Sequence, residues 1–151
     1  MINEIISREN INLQINAKDW RAAMTAAGNL LVTGGYTTPS YTEEMIAAVE
    51  TLGPYIVVAP GIALAHSRPA PSVLKTGISL TTLASPINFG SEENDPVSII
   101  FGLCATDNNC HINIISQLVN FLDGDNSTLF LQESQSIEDV YQAINNVNQG
   151  V

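Results

Sequence analysis

The chain has 151 residues, 45% of them hydrophobic, and a formal net charge of −10. That size and composition call for one folded domain with a buried core and argue against disorder. Lys18, Lys75, Arg8, Arg21 and Arg68 are the only Lys or Arg residues against 15 acids, a balance unsuited to gripping nucleic acid or an anionic membrane surface.

No apolar run approaches the roughly 20 residues of a spanning helix, so direct membrane insertion is not expected. The opening MINEIISREN has neither the basic segment nor the apolar stretch of a secretory signal. A cytoplasmic protein is the expectation. The two cysteines, Cys104 and Cys110, are spaced C-x5-C, which matches no common zinc or redox motif. Cys104 lies in an apolar run and reads as a buried, inert thiol.

The first predicted element is a helix capped by Asn16, with Asp19, Trp20, Met24, Ala27 and Leu31 at helical spacing and Gly34-Gly35 as its stop. Thr38-Pro39 opens a second helix, with proline at the first helical position. Its inward face is Tyr41, Met45, Ile46, Val49 and Leu52, and it ends near Gly53-Pro54. Four strands are predicted next, over 56–59, 62–65, 77–83 and 97–103, separated by Pro, Gly and acidic residues. From His111 to Phe121 the helical period returns, with Ile112, Ile115, Leu118, Val119 and Leu122 on one side. Ser136 caps a last helix, whose stripe is Ile137, Val140, Tyr141, Ile144 and Val147. Helices at both ends of a block of strands predict a single-domain α/β sandwich with a mixed central sheet.

The acidic segment Ser91-Glu92-Glu93-Asn94-Asp95-Pro96 does not have the alternating ligands and distal glutamate of an EF-hand. It reads as a solvated loop between strands.

The segment GPYIVVAPGIALAHSRP, residues 53–69, places His66 at the end of a β-branched apolar run. An imidazole is poised between charge states near neutral pH, and a strand end holds it firmly at a rim. Three readings follow from the residues: a histidine satisfied by hydrogen bonds, a metal ligand, or a nucleophile or acid–base group. His66, His111, Cys104 and Cys110 lack the paired spacing of a zinc site. No G-x-S-x-G, Walker loop or G-x-G-x-x-G is present, which disfavours serine-hydrolase and nucleotide-driven kinase chemistry. Between the satisfied histidine and the nucleophile the residue pattern does not choose.

IALAHSRP is similar to the phosphohistidine segment A-x-P-H-[AG] of the EIIA components of the bacterial phosphoenolpyruvate-dependent sugar phosphotransferase system, in the mannitol/fructose-type family. With PINFGSEENDPV and ATDNNCHINIISQL, the fuller run most resembles the ascorbate-specific branch. The resemblance covers about residues 20–147. It implies one EIIA type 2 domain over 1–151 with the mannitol-type fold. It also implies a phosphotransferase in which His66 takes phosphate from HPr and passes it to a cysteine of EIIB, feeding a membrane EIIC indirectly, for uptake of L-ascorbate. No metal or nucleotide cofactor is required, because the donor is itself a phosphohistidine.

His111, which opens a helix after Asn108-Asn109, matches a histidine that the family places near the carrier. Arg68 is the cation nearest His66 in sequence and is expected to stabilise the transferring group. Two departures are visible. Ala65 stands where the family has proline, and Ser67 where it has alanine or glycine; and the second helix reads Ala47-Ala48-Val49-Glu50 where mannitol-branch relatives carry an arginine. A regulatory EIIA-like protein and a non-catalytic binding module on the same fold are the alternative functions.

Overall fold

The computed structural model describes residues 5–124 and 126–147, and for His111, Asn146 and Val147 only the backbone. After a 3-10 turn at Arg8–Asn10 come β1 (Ile11–Ile15), α1 (Trp20–Thr33), α2 (Pro39–Leu52), β2 (Val57–Ala59), β3 (Ile62–Ala65), β4 (Gly77–Ile87), β5 (Val97–Cys104), α3 (Asn108–Leu122), α4 (Ser127–Glu133) and α5 (Ile137–Val147). The strands form one sheet in the order β1-β4-β5-β3-β2. β1 and β4 run parallel, as do β3 and β5, while β4–β5 and β2–β3 are antiparallel. The predicted mixed sheet is therefore present. β5 is central and buried at every position, as a strand must be when both faces of its sheet are covered.

Each face has its own apolar layer. α1 and α2 bring Met24, Ala27, Leu31, Tyr41, Met45 and Val49 onto Ala63, Ala65, Ile100 and Cys104. The other helices bring Leu118, Phe121, Leu131, Val140 and Ile144 onto Ile62, Ile78, Leu80, Ile99 and Phe101. Alternation along β4 sends Ile78 and Leu80 to one layer and Leu83 to the other.

Local sequence explains most element boundaries and corrects some expectations. The cap of α1 is Asp19, not Asn16: its carboxylate accepts the Ala22 N–H at 2.8 Å. α2 begins at Pro39 as predicted and ends at Gly53, whose φ of 88° suits glycine. Ser136 caps α5, its hydroxyl accepting the Asp139 N–H at 3.2 Å. Val140, Tyr141 and Ile144 are buried as expected, Ile137 is 40% exposed, and the Val147 side chain lies outside the described residues. Leu52 was expected inside but is 70% exposed, because the last turn of α2 overhangs a cleft.

On α3 the buried stripe is Leu118 and Phe121, with Ile114 and Leu122 partly covered. Ile112 and Val119, predicted inward, are 60% and 48% exposed. Both sets have helical spacing, and periodicity alone does not say which one meets the sheet. The 91–96 segment is a loop between strands, as expected. It is ordered by Asp95, whose carboxylate accepts the Phe89 and Gly90 N–H groups at 2.9 and 2.8 Å.

Close approach of backbone sets the position of α2, which carries one wall of the cleft described below. A Cβ at Gly28 of α1 would overlap Thr42 of α2, so the two helices touch where only hydrogen fits. Gly28→Ala should therefore destabilise the fold by about 1–3 kcal/mol through overpacking, read as a lower denaturation midpoint. Thr42→Ala in the same chain should restore part of the loss. An unchanged midpoint in the single variant would contradict the contact.

Candidate active site

Topology gathers the site at one edge of the sheet. β3 and β5 are parallel and paired up to Ala65↔Gly102, so the chain leaves both strands at the same edge. His66 follows β3 directly, and α3 follows β5 after a short connection. This carboxyl edge of a sheet is where α/β folds commonly place ligands.

The His66 ring is held by its own strand: Nδ1 lies 2.7 Å from the Leu64 carbonyl oxygen. A carbonyl only accepts, so Nδ1 carries the proton and Nε2 of the neutral ring carries the lone pair. The Tyr55 ring meets the imidazole in a T-shaped contact, with centroids 5.3 Å apart and planes at 83°, within the preferred geometry of aromatic pairs. The Tyr55 hydroxyl donates to the His66 carbonyl at 3.0 Å.

Tyr41 completes the support. Its hydroxyl donates to Leu103 O at 2.7 Å and accepts the Ser67 N–H at 2.9 Å. Burial pushes this phenol far above its ordinary pKa, so it stays a neutral donor. Its side chain is buried in the α2 layer, as the helical period predicts, yet its tip reaches the site. Helical spacing reports the buried side of a residue and is silent about where a polar tip ends. Tyr55 sits in an irregular segment that no periodicity singles out.

A cleft of about 710 Å³ opens beside His66, with walls that include Glu44, Ala47, Ala48, Leu52, Tyr55, Ser67, Arg68 and Asn108. Arg68 is exposed on it and belongs to neither of the ion pairs among the described residues, Arg8–Glu138 and Arg21–Glu50. Ala47 and Ala48 leave open the space that a longer side chain would fill. Ser67 lines the cleft, and its amide proton is taken by Tyr41. His111 lies on the first turn of α3, whose Asn108 lines the cleft, and its side chain lies outside the described residues. The α3 start is capped by Asp107, which accepts the Cys110 N–H at 2.8 Å. That hydrogen bond holds the Asp107 carboxyl below its usual range, so a negative charge already occupies the helix start.

Cys104 is buried, and burial pushes its thiol up to about 12. Its Sγ faces the Lys75 and Gly77 carbonyls, so the burial expected of this thiol is the one observed. Among the described residues, no group of three or more His, Cys, Asp or Glu side chains converges, and no helix is long and apolar enough to cross a membrane.

Residues 4–147 match the family model for the phosphoenolpyruvate-dependent sugar phosphotransferase system, EIIA 2. The chain belongs to that family. EIIA components are phosphotransferases, and this one is a phosphoryl carrier by family. The chain is 35% identical over 147 residues to the ascorbate-specific PTS system EIIA component of Escherichia coli (strain K12), covering 97% of this chain and 96% of the relative. The solution structure of the E. coli mannitol-specific cryptic phosphotransferase enzyme IIA CmtB superposes with a TM-score of 0.84 at 29% identity, over 94% of this chain and 96% of that one. E. coli enzyme IIA for mannitol, solved in complex with phosphorylated enzyme IIB, gives 0.82 at 29% identity, over 93% and 97%. The expected mannitol-type EIIA fold is thus the one observed.

Tyr41 ties this EIIA site to its core, so Tyr41→Phe should expose its worth. The variant strips the Ser67 N–H of its acceptor and should cost about 1–3 kcal/mol of stability. Amide exchange at Ser67 should accelerate more than exchange in β5. Unchanged protection at Ser67 would show that Tyr41 is core filling alone.

Proposed function

We propose that His66 is the phosphoryl carrier of this EIIA, accepting phosphate from phospho-HPr and giving it to an EIIB cysteine. The observation that carries the reading is the Nδ1–H bond to Leu64 O, which leaves Nε2 as the nucleophilic nitrogen on an open cleft. In the first step Nε2 of neutral His66 attacks the phosphorus as the N–P bond to the HPr histidine breaks. Nδ1 keeps its proton, and the donor histidine leaves as a neutral imidazole. In the second step the EIIB thiolate attacks the same phosphorus and the Nε2–P bond breaks. Such transfers need in-line positioning and stabilisation of charge on the equatorial oxygens. Arg68 and His111 are the side chains assigned to that stabilisation, with the Ser67 hydroxyl beside them. No metal or nucleotide enters either step.

The chain acts as a single EIIA domain over 1–151 in the cytoplasm, linked to membrane EIIC only through EIIB. The 35% identity to ascorbate-specific EIIA components over nearly the full chain supports L-ascorbate as the sugar taken up by its system. Its net charge of −10 suits a basic partner surface, since complementary charge speeds encounter.

Incubation with phosphoenolpyruvate, enzyme I and HPr should add one phosphate, seen by intact mass, that is acid-labile and base-stable. His66→Ala should abolish it, and full labelling of that variant would overturn the assignment. Arg68→Ala should slow transfer without unfolding the protein, and lysine should rescue in part because it lacks the planar fork that matches phosphate oxygens. His111→Ala should still be labelled but should pass phosphate to EIIB more slowly, by about 10²–10³ for a donor specific to the transition state. Equal single-turnover chase rates would make His111 a structural residue.

A further inference from the structure

We propose that Tyr55 is a positioning residue for transfer at His66, one jaw of a two-tyrosine clamp on the peptide unit that joins His66 to Ser67. The inference rests on the reading of His66 as the carrier and adds the device that aims it.

The paired register of β3 stops at Ala65↔Gly102, so the nucleophile's own peptide lies just past the register. That peptide is nevertheless held at both ends. Its carbonyl, on His66, accepts the Tyr55 hydroxyl at 3.0 Å, and its N–H, on Ser67, donates to the Tyr41 hydroxyl at 2.9 Å. The two phenols arrive from different places: Tyr41 from the buried face of α2, Tyr55 from the segment after α2, 39% exposed on the cleft. Tyr41 is fixed by the core and by Leu103 O.

Fixing the 66–67 peptide plane on one side, with the strand on the other, fixes the direction of the His66 Cα–Cβ bond. Two side-chain torsions then remain. The Nδ1–H bond to Leu64 O and the T-shaped contact with the Tyr55 ring restrain them. Tyr55 thus acts twice, through its hydroxyl on the backbone and through its ring on the imidazole. Neither contact is made with the phosphoryl group itself. The role separates from plain stability because Tyr55 lies at a partly exposed rim, where losing one hydroxyl barely moves the folding equilibrium. Transfer depends far more steeply on aim, since a misplacement of about 1 Å can cost about 100-fold in rate.

The test uses the full-length protein and its Tyr55→Phe and Tyr55→Leu variants. Single-turnover labelling by phospho-HPr is followed over a range of HPr concentrations, alongside ¹⁵N NMR of the His66 ring before phosphorylation. Tyr55→Phe, which loses only the hydroxyl, should keep its unfolding midpoint and its half-saturating HPr concentration while the saturating rate falls about 10-fold. Tyr55→Leu, which also loses the ring, should fall about 100-fold, the full cost of misaiming. In the leucine variant a second tautomer of His66 should appear beside the Nδ1–H form. Unchanged saturating rates with unchanged ring signals would overturn the proposal. So would a change confined to the half-saturating concentration, which would make Tyr55 a docking residue. If the wild-type protein takes no phosphate, the carrier reading fails, and the ring signals decide the clamp separately: an unaltered tautomer in Tyr55→Leu would overturn it.

Discussion

The site depends on the 2.7 Å hydrogen bond from His66 Nδ1 to the Leu64 carbonyl. An imidazole offers two nitrogens, and phosphoryl transfer needs one of them unprotonated and facing outward. Here the choice is made by backbone two residues upstream, within β3. That strand lies between β5 and β2 and cannot shift without disturbing both. Leu64 N–H donates to Ile56 O at 2.7 Å, so the residue that fixes the ring is itself fixed. The rigidity of a buried sheet is carried through one carbonyl to the imidazole of His66.

Charge poses a second constraint. A protein with 15 acids and five Lys or Arg residues must accept a dianionic phosphoryl group. The cleft carries an exposed arginine, Arg68, the side chain assigned to this charge in the proposed transfer, and an apolar stretch of Ala47, Ala48 and Leu52. Glu44, the acid on that wall, is engaged by the Ser72 hydroxyl at 2.9 Å. The acidic surface elsewhere gives a long-range field toward a basic carrier, screened beyond about 8–10 Å at ordinary salt. In the proposed transfer, local stabilisation and long-range attraction come from different parts of the molecule.

Much of this was legible in the sequence, for physical reasons that differ by element. The runs ending at Ala65 and Cys104 are continuous and apolar because they are covered on both faces, so strand and burial could be read together. Pro39 and Gly53 mark α2 because each suits one backbone state. β1 was legible too, since Ile11-Asn12-Leu13-Gln14-Ile15 alternates apolar and polar as a half-buried strand does, but the first predicted element was the helix that follows it. α4 escaped notice because it spans only seven residues. On α3 the expected stripe held at Leu118 and Leu122 but not at Ile112 and Val119, because its apolar residues encircle more of the helix than one stripe. His66 stood out as a histidine at a strand end, and the family resemblance gave it a role. The two tyrosine hydroxyls did not stand out, since they depend on tertiary contacts 11 and 26 residues apart in sequence.

The nitrogen that takes the phosphate is the most direct point of decision. The protein, labelled with ¹⁵N in its histidines, is phosphorylated through HPr and read by ¹⁵N and ³¹P NMR. With Nδ1–H held on Leu64 O, phosphorus should be bonded to Nε2 of His66, with Nδ1 still protonated. A phosphate on Nδ1 would mean that the Leu64 hydrogen bond breaks for the reaction and does not govern it.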